Sequence, residues 1–364
     1  MTVIYLKPTN FCNVDCDHCY LTEEVRANKL TIDRAGLVKV FEFIKGVRDK
    51  KNEREAHVIW HGGEPLMLTP EYYAEAMDIG FEILGDEGVS FSLQTSLMPF
   101  SRRWVDLCHK YFKSNIGSSV DFQARKIKGS NEQYLDLWMK RVKTAREEGL
   151  YVGPIMVPSR NELGHEAKII DWIMDNGFKS VNFDRYTTWG KTTKDLNCPT
   201  NAEHSQFLIN TFEHIIKRMD EGKPVPFINA IVAGINGVFW GQSGDRWGTS
   251  CMKDFVVVEP NGDLNSCPDR TSTETPFSNI DDGSDKFLRS KKRREWIRIS
   301  DVTHKGSHCY QCKFSRFCKS GCPNVDNSTP EQCSGYYKFL EHVEGYKLDN
   351  NKYNKVINYL NEAV

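Results

Sequence analysis

Apolar residues gather in short runs through the first two thirds of the chain, and each run gives way to a stretch whose apolar positions recur with helical spacing. The runs are TVIYLKP (2–8), AHVIWHG (56–62), VSFSLQT (89–95), NIGSSVD (115–121), YVGPIMVP (151–158) and SVNFDRY (180–186). The stretches between them predict helices over 31–48, with Thr31 or Asp33 near the start, and over 70–84, 101–112, 132–148, 164–175 and 202–221. Over 132–148, Leu135, Trp138, Val142 and Ala145 share one face, as an amphipathic helix requires. Six strand-then-helix units in succession predict a parallel sheet covered by helices, either doubly wound or curved into part of a barrel. In both, ligands sit at the carboxyl ends of the strands.

From about residue 223 the alternation stops. EGKPVPF opens a connector over 223–250, and seven cysteines then lie between Cys251 and Cys333 among Gly, Pro and Asp turns. Too few apolar segments remain there for a conventional core, so metal ligation is expected to supply stability. Tyr337, Leu340, Val343, Tyr346, Val356 and Leu360 predict one or two closing helices over 335–364. The expected parts are therefore 1–222, 223–250, 251–334 and 335–364.

Charge narrows the partners. Lys plus Arg is 48 against 49 Asp plus Glu in 364 residues, which leaves no electrostatic footprint for nucleic acid or an anionic membrane. No apolar run approaches the roughly 18 residues of a bilayer span, and MTVIYLKPTN lacks a signal-peptide pattern. A cytoplasmic location is expected, and in a reducing compartment twelve cysteines favour metal or catalytic roles over disulfides.

Three of the cysteines, Cys12, Cys16 and Cys19, follow the first strand in FCNVDCDHCY, at the edge where ligands bind. Three thiolates can hold three irons of a [4Fe–4S] cluster and leave the fourth iron open to a small molecule. The spacing, with Tyr20 directly after the last cysteine, resembles the radical S-adenosylmethionine (SAM) superfamily; a structural zinc loop is the alternative. The resemblance implies that Tyr20 lies against the SAM adenine. GGEP, comprising Gly62, Gly63, Glu64 and Pro65 at the end of the second strand, resembles the motif that binds the SAM amino group, its bare glycines giving a ligand access to backbone carbonyls. The third strand ends in QTS, with Thr95 followed by Ser96 where the family often has Asn. The fourth ends in SVD, whose Ser119 and Asp121 point by resemblance to the SAM ribose or carboxylate. Arg125 resembles the arginine that pairs with that carboxylate, with Arg141 as its rival.

The late cysteines, Cys251, Cys267, Cys309, Cys312, Cys318, Cys322 and Cys333, resemble the SPASM domain, which carries two auxiliary [4Fe–4S] clusters; a double zinc module is the alternative. The resemblance gives Cys309, Cys312, Cys318 and Cys333 to auxiliary cluster II, and Cys251, Cys267 and Cys322 to auxiliary cluster I. Cluster I is one thiolate short, so its last iron is open or takes Asp245 or Cys198. Cys108, in a helix, reads as a buried apolar residue.

The fold so implied is α/β: a partial (β/α)6 TIM-like barrel with a C-terminal SPASM domain, SAM and three [4Fe–4S] clusters. The implied enzyme is a peptide maturase in which a 5′-deoxyadenosyl radical abstracts a hydrogen from a side chain of a ribosomally made precursor, giving a carbon–carbon (cyclophane) or thioether crosslink. It would draw electrons from a donor such as flavodoxin or ferredoxin. Because the first strand begins by residue 3, any leader peptide is expected to be held by the barrel, the SPASM domain or a separate protein. A second reading is an anaerobic sulfatase-maturase-like dehydrogenase of a Ser or Cys side chain, with Asp269 as base although Pro268 displaces it by one position from the family's acid. A non-catalytic zinc-binding interaction module is the reading from another class.

Overall fold

The computed structural model describes residues 1–187, 196–248, 250–269, 275–299 and 305–362. They form two compact units, one drawn from 1–152 and 250–296, the other from 153–187, 196–248 and 297–362.

In the first unit the strands β1 (Thr2–Leu6), β2 (Ala56–Trp60), β3 (Val89–Thr95) and β4 (Asn115–Ser119) lie side by side in sequence order and in parallel. They alternate with α1 (Arg34–Lys50), α2 (Pro70–Leu84), α3 (Val105–Tyr111) and α4 (Asn131–Glu147). Local chemistry sets the helix starts. Asp33, Thr69 and Ser130 each accept a backbone N–H of the first turn, and Pro70 fills the first position of α2, where its missing N–H costs nothing. Register pairs Leu6 with Trp60 and Trp60 with Leu93. The loops leaving β1, β2 and β3 therefore emerge at one edge. Beneath them Phe91 packs against Phe41, Trp60 and Phe81 at ring-centroid distances of 6.3, 6.2 and 5.4 Å.

The order of expected strands and helices holds, and two other expectations change. Residues 251–296 do not stand apart from the sheet. Phe255–Val258 form β7, which runs parallel to β1 from Val3↔Phe255 to Leu6↔Val258, and β8 (Asp263–Asn265) and β9 (Ser278–Asn279) continue the sheet antiparallel. A helix, α8 (Gly283–Arg289), sets Phe287 against Phe43 of α1 at 5.6 Å. The run FVVV is too short to be told from a loop by periodicity; its pairing with β1 makes it a strand. The supposed connector is also ordered: Asn229–Trp240 form α7, buried at Ala230, Ile231, Ala233, Ile235, Val238 and Phe239.

β5 (Tyr151–Met156) passes from the first unit into the second, where Ile155 and Met156 pair in parallel with Asn182 and Phe183 of β6 (Ser180–Phe183). Phe227–Ile228 extend that ladder. Helices α5 (Glu166–Asp175), α6 (Asn201–Asp220), α9 (Tyr337–Leu348) and α10 (Asn350–Glu362) complete the second unit with α7. Tyr346 of α9 meets Phe212 of α6 at 4.9 Å, and Phe339 stacks on Trp247 at 6.0 Å. Among the described residues no helix is long and apolar enough to cross a membrane.

Phe91→Ala empties the centre of the aromatic cluster and is expected to cost about 3–5 kcal/mol. Lys39→Ala, which removes an exposed, solvent-screened ion pair with Asp281, should leave the urea midpoint nearly unchanged. Urea unfolding of both variants checks the contrast.

Candidate SAM and iron–sulfur sites

The turn after β2 lies directly on the three-cysteine loop. A Cβ at Gly63 would stand 2.2 Å from the Asn10 carbonyl oxygen and 2.6 Å from that of Phe11, and one at Gly62, whose φ is +131°, would stand 2.2 Å from that of Thr9. The two backbones are tied by Gly63 N donating to Thr9 O at 3.2 Å and Glu64 N to Phe11 O at 3.0 Å. The sequence suggested that the bare glycines give a ligand access to backbone carbonyls; at their Cβ positions stands the protein's own cysteine loop.

Glu64 is fully buried, and four protein donors converge on it. Oε1 accepts from Leu66 N at 2.9 Å and Thr95 Oγ1 at 2.6 Å, while Oε2 accepts from Ser96 N at 2.8 Å and from Ser96 Oγ. Burial raises its pKa despite these hydrogen bonds. In this arrangement Glu64 and Thr95, both expected to contact SAM, bind each other and lock the end of β2 to the end of β3. Pro65 begins the buried turn that follows, its carbonyl accepting from Tyr73 Oη at 2.9 Å.

The loop that carries the three thiols is itself held by backbone hydrogen bonds. Asp15–Cys16 pair antiparallel with Arg125–Lys126, and Cys19 N donates to Cys16 O at 3.2 Å. Burial raises the Cys12 pKa, and the neighbouring Cys16, Glu64 and Cys19 raise it further. Thiols that oppose one another's ionisation need a positive centre to become thiolate ligands, and a cluster supplies one. Among the described residues no three His, Cys, Asp or Glu side chains converge as the donors of a single metal ion. A four-iron cube takes its thiolates on different irons, so convergence on one point is not its requirement.

Arg125 lies against this loop. Nη1 donates to Cys16 Sγ at 3.3 Å, Nη2 lies 3.2 Å from His18 Nε2, and Nε donates to the buried Asp121 carboxylate. Burial pulls its pKa down, but Cys16 and Asp121 outweigh it and leave it raised. The structure thus brings Arg125 to Cys16 and Asp121 to Arg125. Ser119 Oγ accepts from Gln94 Nε2 at 3.0 Å, and its carbonyl accepts from Tyr134 Oη at 2.8 Å. The rival, Arg141, is half-buried on α4 with Nε unpartnered.

On the other side, Tyr20 Oη is 3.3 Å from His61 Nδ1 and donates to Gly62 O at 3.3 Å. Burial lifts the Tyr20 pKa, followed by the charges of Cys19, Glu259, Asp269 and Cys12. Lys7, fully buried, places Nζ 4.7 Å from the Tyr20 ring centroid, 2.9 Å from Glu259 Oε1 and 3.4 Å from Pro268 O. Lys7, His18, His61 and Glu259 had escaped the sequence reading. A lysine directly after the apolar run of β1 was the available signal.

In the second unit Cys318 is buried, and after burial the charges of Cys333, Cys312 and Cys309 also raise its pKa. A Cβ on Gly335 would come within 2.3 Å of Cys318 Sγ, so only glycine fits beside that thiol. Cys322 lies in the same unit and acts on Tyr336, whereas Cys251 and Cys267 belong to the first unit. The Asp245 carboxylate is engaged by Asn229 Nδ2 at 3.0 Å and Arg246 Nε at 2.7 Å. Cys198 Sγ donates to Tyr186 O at 3.9 Å and Pro199 O at 3.7 Å. Cys108 is buried on α3, as expected. No disulfide joins cysteines among the described residues.

Residues 6–173 match the family model of the Radical SAM superfamily. The chain belongs to that superfamily. This radical SAM enzyme is 20% identical over 355 residues to the serine-type anaerobic sulfatase-maturating enzyme of Klebsiella aerogenes, covering 93% of this chain and 84% of that protein. Its fold is similar to native anSMEcpe solved with bound AdoMet and Cp18Cys peptide, with a TM-score of 0.80, 19% identity and coverage of 97% and 100% of the two chains. It is also similar to Streptococcus suis SuiB bound to precursor peptide SuiA, with a TM-score of 0.59, 14% identity and coverage of 91% and 74%.

Glu64→Ala leaves buried donors without an acceptor and should destabilise the protein, before any cofactor is added, by about 1–3 kcal/mol or more. Urea unfolding of the cofactor-free chain reads this, and a residue that served SAM alone would leave it unchanged. His61 is held down to about 3, first by burial and then by Lys7, against about 6.5 in an unfolded chain. The unfolded state takes up the proton first, so the stability due to His61 falls as pH drops from about 6.5 toward 3. His61→Gln should flatten the pH dependence of the urea midpoint in that window.

Proposed function

We propose that this radical SAM enzyme is a maturase that oxidises a side chain of a peptide or protein substrate. In this reading Cys12, Cys16 and Cys19 hold the SAM-binding [4Fe–4S] cluster, and the seven later cysteines, a SPASM set, hold two auxiliary clusters. SAM bound at the first cluster and cleaved by one electron supplies a 5′-deoxyadenosyl radical able to take hydrogen from an unactivated carbon. The chain's own part is positional. Arg125, beside Cys16, offers a guanidinium to the SAM carboxylate. Tyr20, fixed by His61 and Lys7, provides an aromatic face for the adenine. Glu64 keeps the surrounding turns in register.

The observation that carries the finer reading is the course of the segment bearing Asp269: Lys7 Nζ, 4.7 Å from the Tyr20 ring centroid, donates to the carbonyl of the preceding Pro268 at 3.4 Å, although Pro268 separates Asp269 from Cys267. A base there would remove the proton from a hydroxyl or thiol once the adjacent carbon has lost its hydrogen atom to the 5′-deoxyadenosyl radical, and the one electron left on the substrate would pass to an auxiliary cluster. That supports dehydrogenation of a Ser or Cys side chain, and the likeness over 93% of this chain to a protein named as a serine-type anaerobic sulfatase-maturating enzyme favours the same reading. Crosslinking of a precursor peptide is the second reading, favoured by the fold likeness to the precursor-bound SuiB. An electron donor such as flavodoxin or ferredoxin is required in both.

Mass alone does not separate the two, because oxidising a serine to an aldehyde and joining two carbons each remove two hydrogens. The enzyme is therefore to be incubated with SAM, reductant and either a serine-containing sulfatase peptide or precursor peptides encoded beside its gene. A product that reacts with a hydrazine reports a carbonyl and supports dehydrogenation; an unreactive, fragmentation-resistant product supports a crosslink. Anaerobically reconstituted protein should hold about twelve irons, and Cys12, Cys16 and Cys19 changed together to Ala should remove about four and end 5′-deoxyadenosine formation. SAM cleavage surviving that change would overturn the proposal.

A further inference from the structure

Asn327 stands behind Cys309. Its side chain is buried, with Nδ2 3.5 Å from Cys309 Sγ and Oδ1 accepting from Ser334 N at 3.1 Å. The second contact fixes the amide's orientation. A backbone N–H can only donate, so the atom facing Ser334 is the oxygen and the atom facing sulfur is the NH2 group. His308 Nε2, 3.3 Å from the same oxygen, is then a donor as well.

The loop that carries Asn327 is anchored by rigid elements. Asn201, at the start of α6, donates through Nδ2 to Asp326 O at 2.6 Å and to Gln332 O at 2.9 Å. Arg185, just beyond β6, donates to Ser334 O at 2.9 Å. Residues on both sides of Asn327 are thus fixed by backbone carbonyls, and the amide is set against the sulfur before any metal arrives.

We infer that Asn327 is a redox-tuning residue: its amide N–H donates to the Cys309 sulfur and raises the reduction potential of the cluster held by Cys309, Cys312, Cys318 and Cys333. The inference rests on the cluster assignment proposed above. Adding one electron to a [4Fe–4S] cluster increases negative charge on its sulfur ligands, so a fixed donor stabilises the reduced form more than the oxidised one. Its low local dielectric strengthens the effect.

The test is an EPR-monitored dithionite titration of the reconstituted holoenzyme, made in a background with Cys12, Cys16 and Cys19 changed to Ala so that only auxiliary signals remain. Asn327→Leu removes the donor without adding charge. Asn327→Asp keeps acceptors for Ser334 and His308, and guards against misfolding of the first variant. Both are expected to retain their iron and to shift one auxiliary signal to lower potential by about tenfold in its redox equilibrium constant, ~59 mV for one electron. The shifted signal should be the one that Cys312→Ala abolishes. An unmoved potential at full iron content overturns the inference, as does a shift confined to the signal that survives Cys312→Ala. Loss of the cluster in both Asn327 variants also overturns it, because the residue would then hold the cluster and not tune it. If Cys312→Ala removes neither iron nor signal, the cluster assignment itself fails, and that is read without any Asn327 variant.

Discussion

A single buried carboxylate, that of Glu64, organises the edge on which the chemistry depends. Four donors from the turn after β2 and the end of β3 converge on it, and its own backbone N–H reaches the three-cysteine loop at Phe11. Strand ends in a parallel sheet have no partner to set the course of their loops. Here one charge, desolvated but fully hydrogen-bonded, gives two loops a common reference. The neighbouring glycines complete it by allowing backbone contact where any side chain would force the loop away.

The two thiol sets are prepared differently. The first is framed by a ladder pairing Asp15–Cys16 with Arg125–Lys126 and stands on the parallel sheet, so its shape comes largely from a core that exists without metal. The second is carried on short turns around the brief helix Ser315–Cys318, steadied by Asn327, Ser334 and Gly335. There the four cysteines sit on turns and one short helix, with no strand among the described residues that carry them, so ligation is expected to supply a larger share of what holds the turns in place.

Much of this was legible in the sequence, because the legible parts are local. Pro70–Leu84 and Val89–Thr95 coincide with the expected helix and strand, since periodicity, a Thr–Pro start and β-branched composition all act within a few residues. The cysteine spacings likewise announce themselves. What stayed hidden depends on distant partners. Glu64 meets Thr95 across 31 positions and Lys7 meets Glu259 across 252, so neither residue shows its role in its own neighbourhood. The FVVV strand was passed over for the same reason: it is a strand because β1 lies beside it.

That last pairing bears on how the chain could have been assembled or dismantled. β1, the strand that delivers the cysteine loop, is flanked by β2 on one side and by β7 on the other, and β7 comes from far downstream. A fragment ending before residue 250 would keep every residue of the SAM loop yet bare one side of β1. It would offer a row of unsatisfied peptide groups to the nearest strand of another molecule. The late segment is thus no detachable cassette: part of it is the selvedge that keeps the catalytic sheet from unravelling into its neighbours.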